Sequence, residues 1–171
     1  RRVLFRIYMC DRLHPNYYTY DMLSDLLSNG QSSRFVQHLV KKRQVFSHID
    51  AYISGSIDAG LFHITGKPAL GISLEEAEAA IWQELEAMKT EAVDEEELEK
   101  VKNRYESEQI FGNINYLNVA TNLAFFELIG KAEDINDEVS KYRGVTAEDI
   151  LRVASETFVH ENCSVLYYKK Q

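Results

Sequence analysis

The run NGQSSRFVQHLVKKRQVFSHI, residues 29–49, gathers several groups that could do chemistry. Ser32 and Ser33 carry hydroxyls, Gly30 and Arg34 flank them as an anion cradle would, and His38 follows in a helical run. A serine nucleophile needs an adjacent base and an oxyanion hole, and the strand–turn–helix elbow needs glycines on both sides of the serine. Neither condition is met here, and neither phosphate-loop glycine pattern is present. The local chemistry reads instead as the end of one helix and the start of another. Asn29-Gly30 supplies a left-handed stop, Ser32 or Ser33 is placed to accept first-turn amides, and Arg34 braces the turn. Gly30, Ser32, Ser33 and Arg34 are therefore structural turn and cap residues.

The other reactive types are scattered. A hydrolytic zinc site built on a helix wants two histidines four apart with a glutamate between, plus a third ligand. His14, His38, His48, His63 and His160 offer no such pair, so no metal ligand and no catalytic residue is assigned to this chain. His63 alternates within a strand and reads as a half-buried packing residue. The acidic run from Asp94 to Glu99 fans around a helix, where the dipole favours it, with Lys100 and Lys102 at pairing distance. Cys10 and Cys163 sit in apolar runs as small buried hydrophobes, without zinc-binding spacing.

Positioning is the work of an alternating series of elements. With 171 residues the chain has room for one domain, residues 1–171. Its formal charge of −8 argues against a nucleic-acid partner, and no run of residues is long and apolar enough to span a membrane. Val3 to Cys10 alternates as a strand, and Met22, Leu23, Leu26 and Leu27 form a helical stripe. A second helix carries Phe35, Val36 and Leu39. From Ser47 to Thr65 the period is two, with Gly55 to Gly60 as the turn of an antiparallel hairpin. Ser73 with Glu76, Asp94 with Glu97 and Thr146 with Asp149 mark helix starts by their capping-box spacing. The run from Asn113 to Ile129 is apolar almost all round and predicts a helix buried on several sides. Cys163 to Tyr168 closes the chain as a strand. This order predicts an α+β two-layer fold, a largely antiparallel sheet covered by helices.

The ordered series also resembles a family. "YYTYDMLSDLLSNGQSSRFVQHLVKKRQVFSHIDAYISGSIDAGLFHITGKPALGISLEEAEAAIWQELEAM", followed by "DEEELEKVKNRYESEQIF", "LAFFELIG", "VTAEDILRVASETF" and "VLYY", resembles the second, non-catalytic half of the pitrilysin, insulinase and mitochondrial processing peptidases, peptidase family M16. The resemblance implies a processing-peptidase-like domain forming the second half of a two-domain zinc peptidase. Zn2+ would lie in the partner, a zinc-bearing N-terminal half or subunit, and this half would close over an extended peptide and position it. The chain alone is expected to be inactive. A soluble, cytoplasmic or periplasmic bacterial setting is expected, and the absence of an initiator methionine suggests a cut domain. Active members carry an arginine and, seven residues on, a tyrosine that contact substrate. The alignment puts Val40 and Ser47 at those places. Lys41 and His48, one residue later, repeat the spacing and are the substrate-contact candidates, at the cost of a one-residue register shift. An inactive scaffold subunit of the same fold is the alternative, and a ligand-binding α+β module unrelated to proteolysis is a third.

Overall fold

The computed structural model describes residues 1–169. Strands β1 (Arg2–Tyr8), β2 (Phe46–Ile53), β3 (Leu61–Pro68) and β4 (Cys163–Tyr168) form one antiparallel sheet in the order β2-β3-β1-β4. Helices α1 (Tyr17–Ser28), α2 (Leu74–Thr90), α3 (Glu95–Gly112), α4 (Tyr116–Ile129), α5 (Glu138–Gly144) and α6 (Ala147–Thr157) complete an α+β architecture. Alternation sends Val3, Phe5, Ile7, Phe62, Ile64, Ile49 and Ala51 to one face of the sheet, where they join Leu23, Leu27, Leu85, Ile150 and Phe158 in a single core. The opposite face carries no helix residues of that core.

Local chemistry sets several element ends. The Ser73 hydroxyl accepts from the Glu76 amide while the Glu76 carboxylate accepts from the Ser73 amide, and Thr146 and Asp149 do the same for α6. At α3 the expected capping box is absent. Asp94 accepts from the Glu96 amide instead, and the Glu97 carboxylate is held by Arg34 through two hydrogen bonds of 3.1 and 3.0 Å. A bidentate pair to a guanidinium outweighs a neutral amide partner, so the carboxylate turns outward to α1's neighbour.

The turn after α1 also differs from the expected serine cap. Gly30 lies at φ +94°, where a side chain would be strained. The Ser33 hydroxyl donates to the Gly30 carbonyl at 2.7 Å, and Lys100 donates to Ser32. Neither hydroxyl accepts a first-turn amide among the described residues, because the following helix begins at Arg34 without a side-chain cap. That helix, Phe35–Lys42, is a π-helix: the Arg43 amide donates to the His38 carbonyl five residues back.

The largest departure from the sequence reading is α4. The expected buried helix has only Phe126 buried, and Tyr116, Leu117 and Leu128 are 89%, 73% and 72% exposed. Apolar composition measures what a segment could bury, and the described chain covers α4 only on the side of Phe126, whose ring lies under the Arg12 guanidinium. No helix among the described residues is long and apolar enough to cross a membrane.

Close packing at the hairpin gives a first test. A Cβ added at Gly66 collides with the ring of Phe46, which is 2% exposed and has no room to retreat. Overpacking of this kind costs about 1–3 kcal/mol. Gly66→Ala is expected to lower the urea midpoint accordingly, and an unchanged midpoint would rule out this packing.

Candidate functional site

The uncovered sheet face is the extended surface that the fold leaves open. Strand register builds it in rows. Arg2 stands beside Tyr168, and Lys67, which follows the Gly66 partner of Val3, faces His48. The next row places Leu4 between Thr65 and Leu166, with Asp50 beyond Thr65. A third row runs Tyr52, His63, Arg6, Ser164. Of these, Arg2, Leu4, Arg6, His48, Asp50, Tyr52, Thr65 and Lys67 line a concavity of about 420 Å³. The rings of Tyr52 and His63 stack at 4.7 Å and 7°. His63 is half-buried, as the sequence suggested, and burial together with the charge of Arg6 lowers its pKa.

His48 reaches this face by regular alternation with Asp50 and Tyr52, and an irregularity follows it toward Phe46. Regular alternation from His48 would turn Phe46 outward. The register shifts between Phe46 and His48, leaving Ser47 as the extra residue of a bulge with its hydroxyl on the Lys67 carbonyl at 3.1 Å. Phe46 is thereby returned to the core while His48 is exposed on the open face.

Lys41 goes elsewhere. It is exposed at the end of the π-helix, with its ammonium donating to the Gln31 carbonyl at 3.0 Å, and lines a separate depression with Gln37, His38 and Lys42. Val40 is half-buried against the core. The two substrate-contact candidates therefore do not line one cavity. Gly30, Ser32, Ser33 and Arg34 lie at the turn between α1 and the π-helix, on the helical side.

A second polar cluster escaped sequence reasoning. Arg12 pairs with Glu138 at 2.9 Å, Tyr18 donates to the other Glu138 oxygen at 2.9 Å, and the guanidinium lies 4.4 Å from the centre of the Tyr17 ring. Beside them Tyr142 donates to Asp21 at 2.6 Å and stacks on Tyr105. Burial raises the pKa of Asp21, Tyr105 and Tyr142, which favours their neutral forms. Burial also pushes the Cys10 and Cys163 thiols up to about 11. Arg12, Tyr18, Asp21, Tyr105, Glu138 and Tyr142 tie α1, α3 and α5 together through paired groups, so the cluster is a structural joint. Hints in the sequence were a lone arginine in a loop and tyrosines on helical faces, which do not single out a joint.

Among the described residues no three histidine, cysteine, aspartate or glutamate side chains gather to hold a metal ion. The arrangement can therefore bind and orient, through a concave strand face with cations, stacked rings and apolar spots.

Comparisons bear on this frame. The family described as peptidase M16 inactive domain matches residues 2–105. No curated protein matches the chain. Among solved structures, a protease from Helicobacter pylori is 22% identical with a TM-score of 0.89, covering 96% of this chain and 40% of that one. The inactive peptidase domain of a candidate zinc protease from Bordetella parapertussis is 18% identical with a TM-score of 0.88, covering 98% and 91%. A peptidase M16 inactive domain from Pseudomonas fluorescens is 13% identical with a TM-score of 0.81, covering 96% and 39%. The chain thus spans about two fifths of the Helicobacter protein and nearly all of the Bordetella domain. At these identities the structures share the fold, and the matching family, extending over most of the chain, carries the assignment: this chain belongs to the inactive-domain family of the M16 peptidases.

Proposed function

We propose that this chain is the zinc-free half of an M16 metallopeptidase, whose open sheet face forms one wall of a peptide chamber. The observation that carries this reading is the one-sided sheet: helices and core on one face, and on the other a concave strand surface that includes His48. Zinc on the opposite half would polarise the scissile carbonyl and activate water. This half holds the peptide extended and excludes solvent. Its contribution is positional, and a misplacement of about 1 Å can cost about a hundredfold in rate.

The test uses a quenched fluorogenic peptide with this chain alone and with the chain joined to a zinc-bearing half. The chain alone with added zinc should be inactive, and the joined protein active. In the joined protein His48→Ala should lower kcat/KM by roughly tenfold, equivalent to about 1.4 kcal/mol of lost transition-state binding. Chelator-sensitive hydrolysis by the chain alone would overturn the reading. So would a joined protein indifferent to substitutions across the open face.

A further inference from the structure

We propose that the open sheet face selects extended peptides with acidic residues four positions apart and an apolar residue midway between them. This rests on the wall reading above and adds the class of peptide.

Charge distribution is the first support. The chain has 27 acidic and 19 basic residues, yet the open face carries Arg2, Arg6 and Lys67 against the single carboxylate of Asp50. On the helical side Arg12, Arg34, Arg104, Arg143 and Arg152 each pair with a carboxylate, while Lys41 and Lys100 donate to the Gln31 carbonyl and the Ser32 hydroxyl. Among the described residues Arg2, Arg6 and Lys67 have no such partner. Asp50 is engaged by the Ser28 hydroxyl at 3.1 Å, at the β2 edge. Among the described residues, the open strand face thus gathers three cations without a carboxylate partner along two neighbouring strands.

Spacing is the second. Arg2 and Arg6 lie four residues apart on β1, about 13 Å along the strand. An extended ligand lying parallel to that strand has the same repeat, so its residues i and i+4 meet the two guanidiniums. Lys67 follows Gly66, the partner of Val3 on the adjacent strand, lines the same concavity as Arg2 and reinforces the first contact. Midway, Leu4 and Leu166 pair directly and offer an apolar spot for residue i+2. The stacked Tyr52 and His63 rings flank the second cation. Arg6 is half-buried and donates to the Phe5 carbonyl at 2.8 Å, which fixes one end of the guanidinium.

Three ten-residue fluorescein-labelled peptides, identical but for Glu, Gln or Lys at the two outer positions around a central Leu, test this by anisotropy. The 171-residue chain, whose core closes within itself, is the protein used. The Glu peptide should bind at least tenfold more tightly than the Gln peptide, and the Lys peptide most weakly. The Glu-to-Gln difference should shrink between low and high salt. Arg6→Glu with Lys67→Glu should invert the order of Glu and Lys. Because Arg6 is half-buried, Arg2→Glu with Lys67→Glu, both exposed, repeats the test. Equal affinity for Glu and Gln peptides overturns the charge selection and leaves the wall reading intact. Persistence of the Glu preference in both reversals, or no binding of any peptide, also overturns it; the wall reading stands or falls on the hydrolysis measurement.

Discussion

Replacing Arg12 with methionine should destabilise the domain by about 3–5 kcal/mol, the usual cost of leaving one member of a buried ion pair without its partner. The side chains of Arg12 and Glu138 are 8% and 9% exposed, so water cannot take over the lost interaction. Glu138 would keep only the Tyr18 hydroxyl and the distant Lys141 ammonium at 3.9 Å. The cation also lies over the Tyr17 ring, a contact methionine replaces only in part. Exposed pairs set the contrast: Lys131 and Glu133, at 3.7 Å and about three quarters exposed, should contribute about 0–1 kcal/mol. Urea unfolding followed by the fluorescence of Trp82, the single tryptophan, measures the loss. The double variant Arg12→Met with Glu138→Leu should recover most of it, because the unpaired charge is gone. A single variant that loses less than about 1 kcal/mol would mean that Glu138 is not held in low dielectric. A double variant no better than the single would point to the tyrosine contacts as the source.

Legibility in the sequence followed the range of the interactions. Strands β1 to β4 could be read because alternation is local, and two of three capping boxes formed because their partners are three residues apart. The third failed at Glu97, whose partner Arg34 is 63 positions away. The bulge at Ser47 that returns Phe46 to the core and the π-helix that carries Lys41 are single-residue adjustments without a compositional mark. The Arg12–Glu138 joint spans 126 positions and was invisible. The cationic face needed the pairing of β1 with β3 before Arg2, Arg6 and Lys67 came onto one surface. In α4, hydrophobicity reported an appetite for burial that the described chain does not satisfy.

Asp25→Asn should stabilise the domain at pH 7 by about 2–3 kcal/mol, and the gain should vanish on acidification. The carboxyl of Asp25 sits on α1 facing α3, and burial pushes its pKa up to about 6, with Asp21 and Glu108 adding to the rise. The Asn29 side-chain amide, donating at 2.8 Å, and the charge of Arg104 oppose it without cancelling it. In the unfolded chain an aspartate titrates near its model value of 3.8. Between these two values the folded state binds more protons than the unfolded one, so stability falls as pH rises from about 4 to about 6 and stays lower above. About two pKa units at 1.36 kcal/mol each set the upper size of the loss. Asparagine keeps an acceptor for Asn29 and carries no charge, so its gain should be full at pH 7 and near zero at pH 4. Asp21 shifts in the same direction and leaves the variant a residual slope of the same sign. Urea unfolding at pH 4, 5, 6 and 7 reads the difference between the two proteins. A difference constant across that range would show that the asparagine acts through packing, since only the titration of Asp25 makes the gain grow with pH.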